Sequence, residues 1–347
     1  MNKRKNKRAT IYDIAQQVGI SPSTVSKALN NQSTVSAKTK ALVKSAALNL
    51  NYIHNSNAAN LRGGPSRTIG VIVPKINTTF FSNAIAGMEE ACFEHGHKLI
   101  ICQSDESYLK EKQAIEMLIQ HNVDCIIISL SVETKLPHHL NDAIGRNVNL
   151  IQFDRVDHSV NSYTVENNNK EVSYRAVKHL ISKGYRKIAL LGGVNHLTIY
   201  RNRKEGYLKA IEEAYLEIPY NYLTEDALTL EKGRALAEAL LKGKNPPDAF
   251  FAMSDYAALG ALKAATSLGL KVPEQIGIMG FSNEVFSELI SPGISSIDQE
   301  ARKVGKRAAN IYFEHMTKSP SPPGKSKRKT IINGLLIIRT SSNRKDT

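Results

Sequence analysis

The sequence predicts a small all-α head joined by a linker to a larger α/β body made of two lobes. Residues 9–64 contain short apolar runs at helical spacing, each preceded by a residue that caps helices. From Ile69 onward, strand-like runs alternate with amphipathic helices, which is typical of parallel sheets covered by helices on both faces. This alternation lasts for about 270 residues, more than one such sheet usually needs, so we expect two similar lobes.

Charge is concentrated at the two ends of the chain. The 347 residues carry a net charge of +14, of which +9 falls in residues 1–64 and +7 in residues 318–347. A nearly neutral body with a basic head indicates a polyanion-binding module attached to another domain. Charge alone leaves open the alternative of a solvated basic tail without function.

Composition excludes several classes of protein. The apolar fraction of 41% and the charged fraction of 22% rule out collagen-like, coiled-coil and wholly disordered chains. No apolar run suits a membrane helix and no apolar segment follows the basic N-terminus, so we expect a cytoplasmic protein. Cys92, Cys102 and Cys125 lack metal-site spacing, and we expect them to be reduced core thiols.

The head is predicted to contain three helices. Thr10, with an acid three residues later, can cap the first helix, and Gly19 can end it. Ser21 can cap the second helix, with Pro22 at its first position, and Ser36 can cap the third. Two helices joined by about three residues, with a third packed across them, form a helix-turn-helix pattern.

In the body, apolar runs set the expected order of elements. Strands are expected over 69–73, 98–102, 125–130, 150–153, 187–191, 249–252, 276–281 and 331–338. Helices are expected near 81–95, 109–121, 173–183, 203–214, 231–242 and 255–268. The stretch 319–329, rich in Pro, Ser and Lys, is expected to be a loop before a single final strand.

The segment 21–27, Ser-Pro-Ser-Thr-Val-Ser-Lys, opens the second helix of the head. In a helix-turn-helix, the first turns of this helix contact base edges in the major groove. Short hydroxyl side chains let the backbone approach the bases, and Lys27 can reach acceptors on guanine as a point charge. The alternative is that Ser21 and Ser23 are only capping residues.

These residues resemble the LacI family of bacterial transcription regulators. The similarity runs through A-T-I-Y-D-I-A at 9–15 and V-G-I-S-P-S-T-V-S-K-A-L-N at 18–30, and it extends to L-I-I-R-T-S-S at 336–342. It implies a helix-turn-helix head, a hinge and a body like type I periplasmic binding proteins. The expected parts are a basic arm (1–8), the head (9–54), a hinge and linker (55–66), an N-terminal lobe (67–167 plus 299–327) and a C-terminal lobe (168–298 plus 328–347).

The resemblance also implies DNA contacts. Base-reading positions match Pro22, Ser23, Thr24 and Lys27. Backbone-contacting positions match Thr10, Ser21, Ser26 and Asn30. Minor-groove positions in the hinge match Ala58 and Leu61, where the leucine wedges between base pairs and bends the DNA. His54 and Ala59 depart from the family's usual proline and arginine at these hinge positions.

Catalytic motifs are incomplete in this sequence. The segment 280–284 resembles a nucleophile elbow but ends in glutamate where the second glycine belongs. Gly192-Gly193 follows a strand without a full dinucleotide fingerprint. The pairs His95/His97 and His138/His139 lack further metal ligands at useful spacing. We therefore expect no enzymatic activity, no cofactor and no metal.

Candidate effector residues follow the predicted strands, where two-lobed α/β proteins bind ligands in the cleft. Phe80 and Phe81 can stack on a flat apolar face such as that of a sugar ring. The polar and charged candidates are Asp154, Arg203, Asp255 and Ser282. For each residue the alternative is an ordinary structural role: packing for the phenylalanines, helix capping for Asp255, pairing with a carboxylate for Arg203.

The family resemblance places its effector-contacting positions on these same residues. Ser282 stands where many relatives have an aspartate after Gly-Phe, and Thr78-Thr79 replaces a common Asn-Pro. By analogy, the effector is expected to be a sugar or a sugar derivative.

The sequence thus favours a homodimeric repressor that binds a near-palindromic operator under control of the effector. We expect it in the cytoplasm, at the nucleoid when bound to DNA. A corepressor-dependent repressor or an activator remains open within this class. A solute-binding protein would need a signal peptide, and a sugar-modifying enzyme would need a complete catalytic motif.

Overall fold

The computed structural model describes residues 9–52, 66–317 and 329–344. The chain forms two compact units, residues 1–66 and 67–347. Several expectations lie outside the described residues: the basic arm at 1–8, the loop at 319–328, and the hinge positions His54, Ala58, Ala59 and Leu61.

The first unit contains three helices with the predicted caps. They are α1 (Ile11–Val18), α2 (Pro22–Leu29) and α3 (Ala37–Asn49). Thr10 and Asp13 form a reciprocal capping box at the start of α1, and Gly19 ends that helix in the left-handed conformation with φ 72°. Ser21 and Ser36 each accept a hydrogen bond from a backbone N–H in the first turn of their helices. The predicted helix-turn-helix is therefore confirmed.

A small apolar core joins these helices. Ile14 of α1, Val25 of α2 and Val43 of α3 are all fully buried in one cluster. Each helix buries one face here and leaves the other face exposed, as the helical spacing of the apolar residues requires.

The first lobe of the second unit is built on a six-stranded parallel sheet in the order β11-β5-β4-β3-β1-β2. Its strands are β1 (Thr68–Val73), β2 (Lys98–Gln103), β3 (Cys125–Ile128), β4 (Leu150–Phe153), β5 (Tyr163–Asn167) and β11 (Lys329–Ile332). Its helices are α4 (Thr79–Glu94), α5 (Tyr108–Gln120), α6 (His138–Gly145) and α12 (Ala301–Ile311). Apolar clusters cover both faces of the sheet, as predicted.

The second lobe repeats this plan around a smaller sheet. Four parallel strands lie in the order β7-β6-β8-β9, and two antiparallel strands, β10 and β12, pair beside them. The strands are β6 (Ile188–Leu191), β7 (Leu223–Thr224), β8 (Ala249–Ala252), β9 (Gly277–Met279), β10 (Ser296–Asp298) and β12 (Leu335–Ile337). The helices are α7 (Asn169–Ser182), α8 (Thr198–Glu213), α9 (Leu230–Leu241), α10 (Asp255–Ser267) and α11 (Phe286–Leu289).

The final predicted strand, 331–338, is two strands in two different sheets, so that prediction was wrong. Lys329–Ile332 pairs with β5 in the first lobe, and Leu335–Ile337 pairs with β10 in the second. Between them, the N–H of Gly334 donates to the Asn168 side chain at 2.9 Å, and the Asn167 amide donates to the Ile332 carbonyl at 3.1 Å. These bonds hold the crossing between lobes, so the first lobe takes a strand from the 328–347 segment that the sequence analysis placed in the second.

Helices α4 and α12 pack so closely that a side chain cannot fit at their crossing. A Cβ built on Gly305 meets the Ala84 carbonyl oxygen at 1.8 Å, and one built on Gly87 meets the Arg302 carbonyl oxygen at 2.0 Å. Glycine at both positions lets the two backbones come into direct contact. Among the described residues, no helix combines the length and the apolarity needed to cross a membrane.

Candidate functional site

Helix α2 exposes Ser21 and Ser23 at its start and Lys27 in its last turn. Ser21 caps the helix, because its Oγ accepts from the Thr24 N–H at 3.1 Å and lies 2.8 Å from the Thr24 hydroxyl. Ser23 and Lys27 are exposed and four residues apart, so they share one face of the helix. Pro22, at the first helical position, has no N–H to leave unpaired.

The residues expected to contact the DNA backbone also have structural partners. The Thr10 N–H and hydroxyl each donate to Asp13 Oδ2 at 2.7 Å. Ser26 is half-buried, and Asn30 is exposed at the end of α2. Tyr12, which the sequence analysis did not single out, is 69% exposed in the first turn of α1. Its position next to the helix cap was the sequence signal that could have identified Tyr12 as an exposed aromatic residue.

A cavity of about 200 Å³ lies between the two lobes of the second unit. Five of the six expected effector residues line it: Phe80, Phe81, Asp154, Arg203 and Ser282. The first three come from the first lobe, and the last two come from the second. The structure therefore brings these five residues together from separate parts of the chain.

Phe80 and Phe81 form the apolar wall of this cavity. Both lie in the first turn of α4 and are nearly buried, with their ring centroids 5.2 Å apart in an edge-to-face arrangement. Phe81 also packs edge-to-face on Phe153 at the end of β4. This packing fixes the rings, so they present a rigid aromatic surface to a ligand.

Asp154 follows β4 and faces the cavity from the first lobe. Its backbone adopts the left-handed conformation with φ 57°, and its N–H donates to the Val165 carbonyl at 2.9 Å. The carboxylate is 5% exposed, and the Gln299 side chain donates to it at 3.4 Å. Burial raises the pKa of Asp154, while the neighbouring positive charges oppose that shift. A ligand that donates hydrogen bonds would stabilise the charged form.

Arg203 faces the cavity from α8 and is almost entirely buried. Its Nε donates to the Asn169 side chain at 2.9 Å, and one Nη donates to the Met253 carbonyl at 3.0 Å. The guanidinium lies 3.5 Å from the centroid of the Phe281 ring, which holds it by a cation–π contact. Burial lowers the pKa of Arg203 to about 10, so the group remains charged at neutral pH.

The structure does not place Asp255 on the cavity wall. Its carboxylate accepts hydrogen bonds from the Glu284 N–H at 2.7 Å, the Ser287 hydroxyl at 3.0 Å and the Ser296 hydroxyl at 2.6 Å. The residue is fully buried, and burial raises the pKa of Asp255 to about 6. Asp255 thus supports the loop that follows β9, and the helix-capping role considered for it belongs to Ser254, which accepts from the Tyr256 N–H.

Several residues that line the cavity were not predicted from the sequence. Arg155 follows Asp154, lies over the Phe81 ring and pairs with Glu106 at 2.7 Å. Its Nε is buried and has no hydrogen-bond partner among the described residues. Gln299 accepts a hydrogen bond from the Ser282 hydroxyl at 3.2 Å. The charge next to Asp154 was a usable signal for Arg155, whereas only the fold shows that Gln299 reaches the cavity.

The cavity combines an aromatic wall with both donors and acceptors of hydrogen bonds. Arg203 and Arg155 can donate, and Asp154 can accept, which suits a small ligand with several hydroxyl groups. Within residues 9–52, 66–317 and 329–344, no group of three His, Cys, Asp or Glu side chains could hold a metal ion.

Family models match two parts of the chain. Residues 10–55 match the model described as bacterial regulatory proteins, lacI family, and residues 177–342 match a periplasmic binding protein-like domain. The HTH-type transcriptional repressor PurR of Haemophilus influenzae (strain PittEE) is 32% identical over 332 residues, covering 96% of this chain and 98% of the relative. PurR of Pasteurella multocida (strain Pm70) is also 32% identical, over 335 residues, with the same coverage.

Solved structures of regulators share the fold. The lac repressor dimer bound to operator and an anti-inducer superposes with a TM-score of 0.84 at 24% identity, covering 97% of this chain and 99% of that one. The complex of the transcriptional regulator CelR with cellobiose has a TM-score of 0.71 at 24% identity, covering 96% and 100%. Both structures contain the same small head and two-lobed body.

Proposed function

Because this chain belongs to the lacI family of bacterial regulatory proteins, we propose that it is a homodimeric repressor controlled by a small polar effector bound between its lobes. It is a DNA-binding transcriptional regulator, since its relatives over nearly the full length are transcriptional repressors and not enzymes. We also propose that it acts in the cytoplasm, at the nucleoid when bound to its operator.

The DNA-binding part rests on the exposed face of α2 that carries Ser23 and Lys27. The backbone of α2 is fixed by the Ser21 cap and by the burial of Val25, so Ser23 and Lys27 are held on one accessible face. We assign base contacts to Pro22, Ser23, Thr24 and Lys27. We assign backbone contacts to Thr10, Ser21, Ser26 and Asn30, and minor-groove contacts to Ala58 and Leu61. Two heads would read the two halves of a near-palindromic operator.

The effector part rests on one observation: the cavity joins a rigid aromatic pair to a buried carboxylate and a buried guanidinium. Phe80 and Phe81 would stack on an apolar sugar face, while Asp154 and Arg203 would hold hydroxyl groups. Ser282 carries only a hydroxyl where a carboxylate is common, and that hydroxyl donates to Gln299. We therefore propose a neutral sugar as the effector, and we assign Asp255 a supporting role in its recognition.

Regulation would follow from the two lobes sharing one cavity. A ligand that contacts both lobes favours one angle between them, and it can shift the equilibrium only by its difference in affinity for the two states. The chain crosses between the lobes after β5, after β10 and after β11, so a change of angle acts on three connections. An effector that lowers operator affinity is an inducer, and one that raises operator affinity is a corepressor.

Thermal unfolding of the full chain tests the effector proposal. D-glucose, D-galactose, D-ribose and cellobiose are each titrated, and we expect at least one to raise the Tm with a saturable dose dependence. The matched control is Arg203→Lys, which keeps the charge but loses the fork that binds hydroxyl pairs. High sugar concentrations stabilise many proteins nonspecifically, so an equal rise in the variant, or no rise at all, would contradict the proposal.

A further inference from the structure

One carboxylate from the second lobe reaches across the cleft to the first. Thr79, the first residue of α4, donates a hydrogen bond from its hydroxyl to Glu284 Oε2. Glu284 lies in the loop after β9, lines the cavity between the lobes and is 7% exposed. This bond joins residues that are 205 positions apart in the chain.

Hydrogen bonds within the second lobe hold the loop that carries Glu284. Ser282 has a φ of 109°, a conformation that costs energy for residues other than glycine, and Asn283 adopts the left-handed conformation with φ 50°. The Glu284 N–H donates to Asp255 at 2.7 Å, and the Asn283 N–H donates to the Ser296 hydroxyl at 2.9 Å. This preorganised turn directs the Glu284 side chain to the first lobe.

Helix α4 lacks a negative group of its own at its N-terminus. Thr78 makes no side-chain capping bond, its hydroxyl is buried without a partner among the described residues, and the first turn contains no acid. A carboxylate near the positive end of a helix dipole is favourable. Glu284 supplies that charge from the opposite lobe, which gives a physical reason for its contact with Thr79.

Glu284 also gives the cavity a carboxylate from the second lobe. Ser282 has no carboxylate, and Asp255 uses its carboxylate within the second lobe. Of the acids that line the cavity, Glu106 and Asp154 belong to the first lobe, so Glu284 is the carboxylate that the second lobe contributes within the described structure.

We propose that Glu284 selects the effector by accepting a hydrogen bond from one of its hydroxyl groups, and that the Thr79 hydroxyl competes with the effector for this carboxylate. This inference rests on the proposed sugar-binding function and names the residue that sets its specificity in the second lobe. A ligand hydroxyl must then displace Thr79 to reach Glu284. Removing Thr79 as a competitor strengthens binding, whereas removing the Glu284 charge weakens it.

Calorimetric titration of the full chain tests this inference with the same four sugars: D-glucose, D-galactose, D-ribose and cellobiose. For a sugar that binds the wild type, Thr79→Val tightens binding by about 3-fold, and Glu284→Gln weakens it by about 10-fold or more, since bonds to charged groups are the strong ones. In the double variant the effect of Thr79→Val disappears. Glu288→Gln, at an exposed acid four residues away, leaves the affinity unchanged.

The possible results separate this inference from the function on which it depends. If the wild type binds a sugar and Glu284→Gln binds it equally well, the inference is wrong while the proposed function stands. If Thr79→Val weakens binding as much as Glu284→Gln, the contact only holds the lobes together, and the inference is again wrong. A wild-type chain that binds none of the four sugars contradicts the proposed function and this inference with it.

Discussion

Asp255 Oδ2 accepts a hydrogen bond from the backbone N–H of Glu284 at 2.7 Å, so a buried carboxylate positions the loop that closes one side of the cleft. Two serine hydroxyls complete the shell around this carboxylate. Asp255 therefore acts on the cavity through the residue that it holds.

The buried Asp255 makes stability depend on pH. Burial raises its pKa from 3.8 to about 6 in the folded protein, so the folded state binds more protons than the unfolded state between these values. The stabilising contribution of the protonated group is fully present below pH 3.8 and is lost as the pH rises through 6. We expect the difference in unfolding free energy between wild type and Asp255→Asn to fall by up to about 3 kcal/mol from pH 4 to pH 7.

Urea unfolding at several pH values measures this difference directly. The comparison with Asp255→Asn removes the contributions of the other titrating groups, because both proteins share them. A difference that stays constant across this range shows that Asp255 is ionised in the folded protein throughout.

Lys27 is expected to read bases. Lys27→Ala should weaken binding to the operator, meaning the duplex recovered by selection from a random pool, by about 1–3 kcal/mol. Binding to a duplex of random sequence should be spared. Fluorescence anisotropy with both duplexes at one salt concentration measures the two affinities. Lys44→Ala, at another exposed lysine of the head, is the matched control and should alter both affinities alike. Equal losses on the two duplexes for Lys27→Ala would make it a phosphate contact.

Arg203 is expected to carry the effector response without contributing to DNA binding. Arg203→Lys should leave operator affinity near the wild-type value and abolish its change on adding the sugar that stabilises the wild type. The reason is that lysine cannot form the paired hydrogen bonds of a guanidinium. Anisotropy with and without the sugar provides the measurement, and a variant that still responds at the wild-type sugar concentration shows that the effector binds elsewhere.

The crossing of α4 and α12 is expected to tolerate only glycine. Gly305→Ala should lower the unfolding free energy by about 3 kcal/mol, because the new Cβ meets the Ala84 carbonyl oxygen at 1.8 Å and forces the helices apart. Gly145→Ala is the control, since nothing lies within 4 Å of a Cβ built there, and it should stabilise the protein by up to about 1 kcal/mol. Equal urea midpoints for wild type and Gly305→Ala would show that the helices can separate without cost.

Local signals in the sequence predicted the head and most of the body. The capping residues Thr10, Ser21 and Ser36 and the left-handed Gly19 set the three head helices, and buried runs set most of the central strands, because each feature depends on neighbouring residues alone. Helix α6 and strand β5 were not predicted. Helix α12 (Ala301–Ile311) was also missed, since basic residues dominate its exposed face. The final strand was predicted as one because its apolar run spans Asn333-Gly334, the pair at which the chain changes lobe.

The site was predictable where a residue directly follows a strand. Asp154 directly follows β4, the Phe80-Phe81 pair opens the helix that follows β1, and the structure brings both to the cavity. Asp255 follows a strand in the same way, yet its side chain turns away to three partners that lie 29 to 41 residues further along the chain. Sequence spacing gives no information about such partners, and the same limit hid Glu284 and Gln299.

An effector in the cleft is expected to control binding to a specific operator. To test this, bound duplexes are selected from a random pool with the full chain at near-physiological salt, once with and once without the stabilising sugar. The affinity for the recovered sequence is then compared with and without that sugar. We predict one near-palindromic sequence whose affinity changes at least about 10-fold, upward for a corepressor or downward for an inducer. Recovery of no common sequence in either selection, or an affinity that the sugar leaves unchanged, would show that an effector in the cleft does not control operator binding.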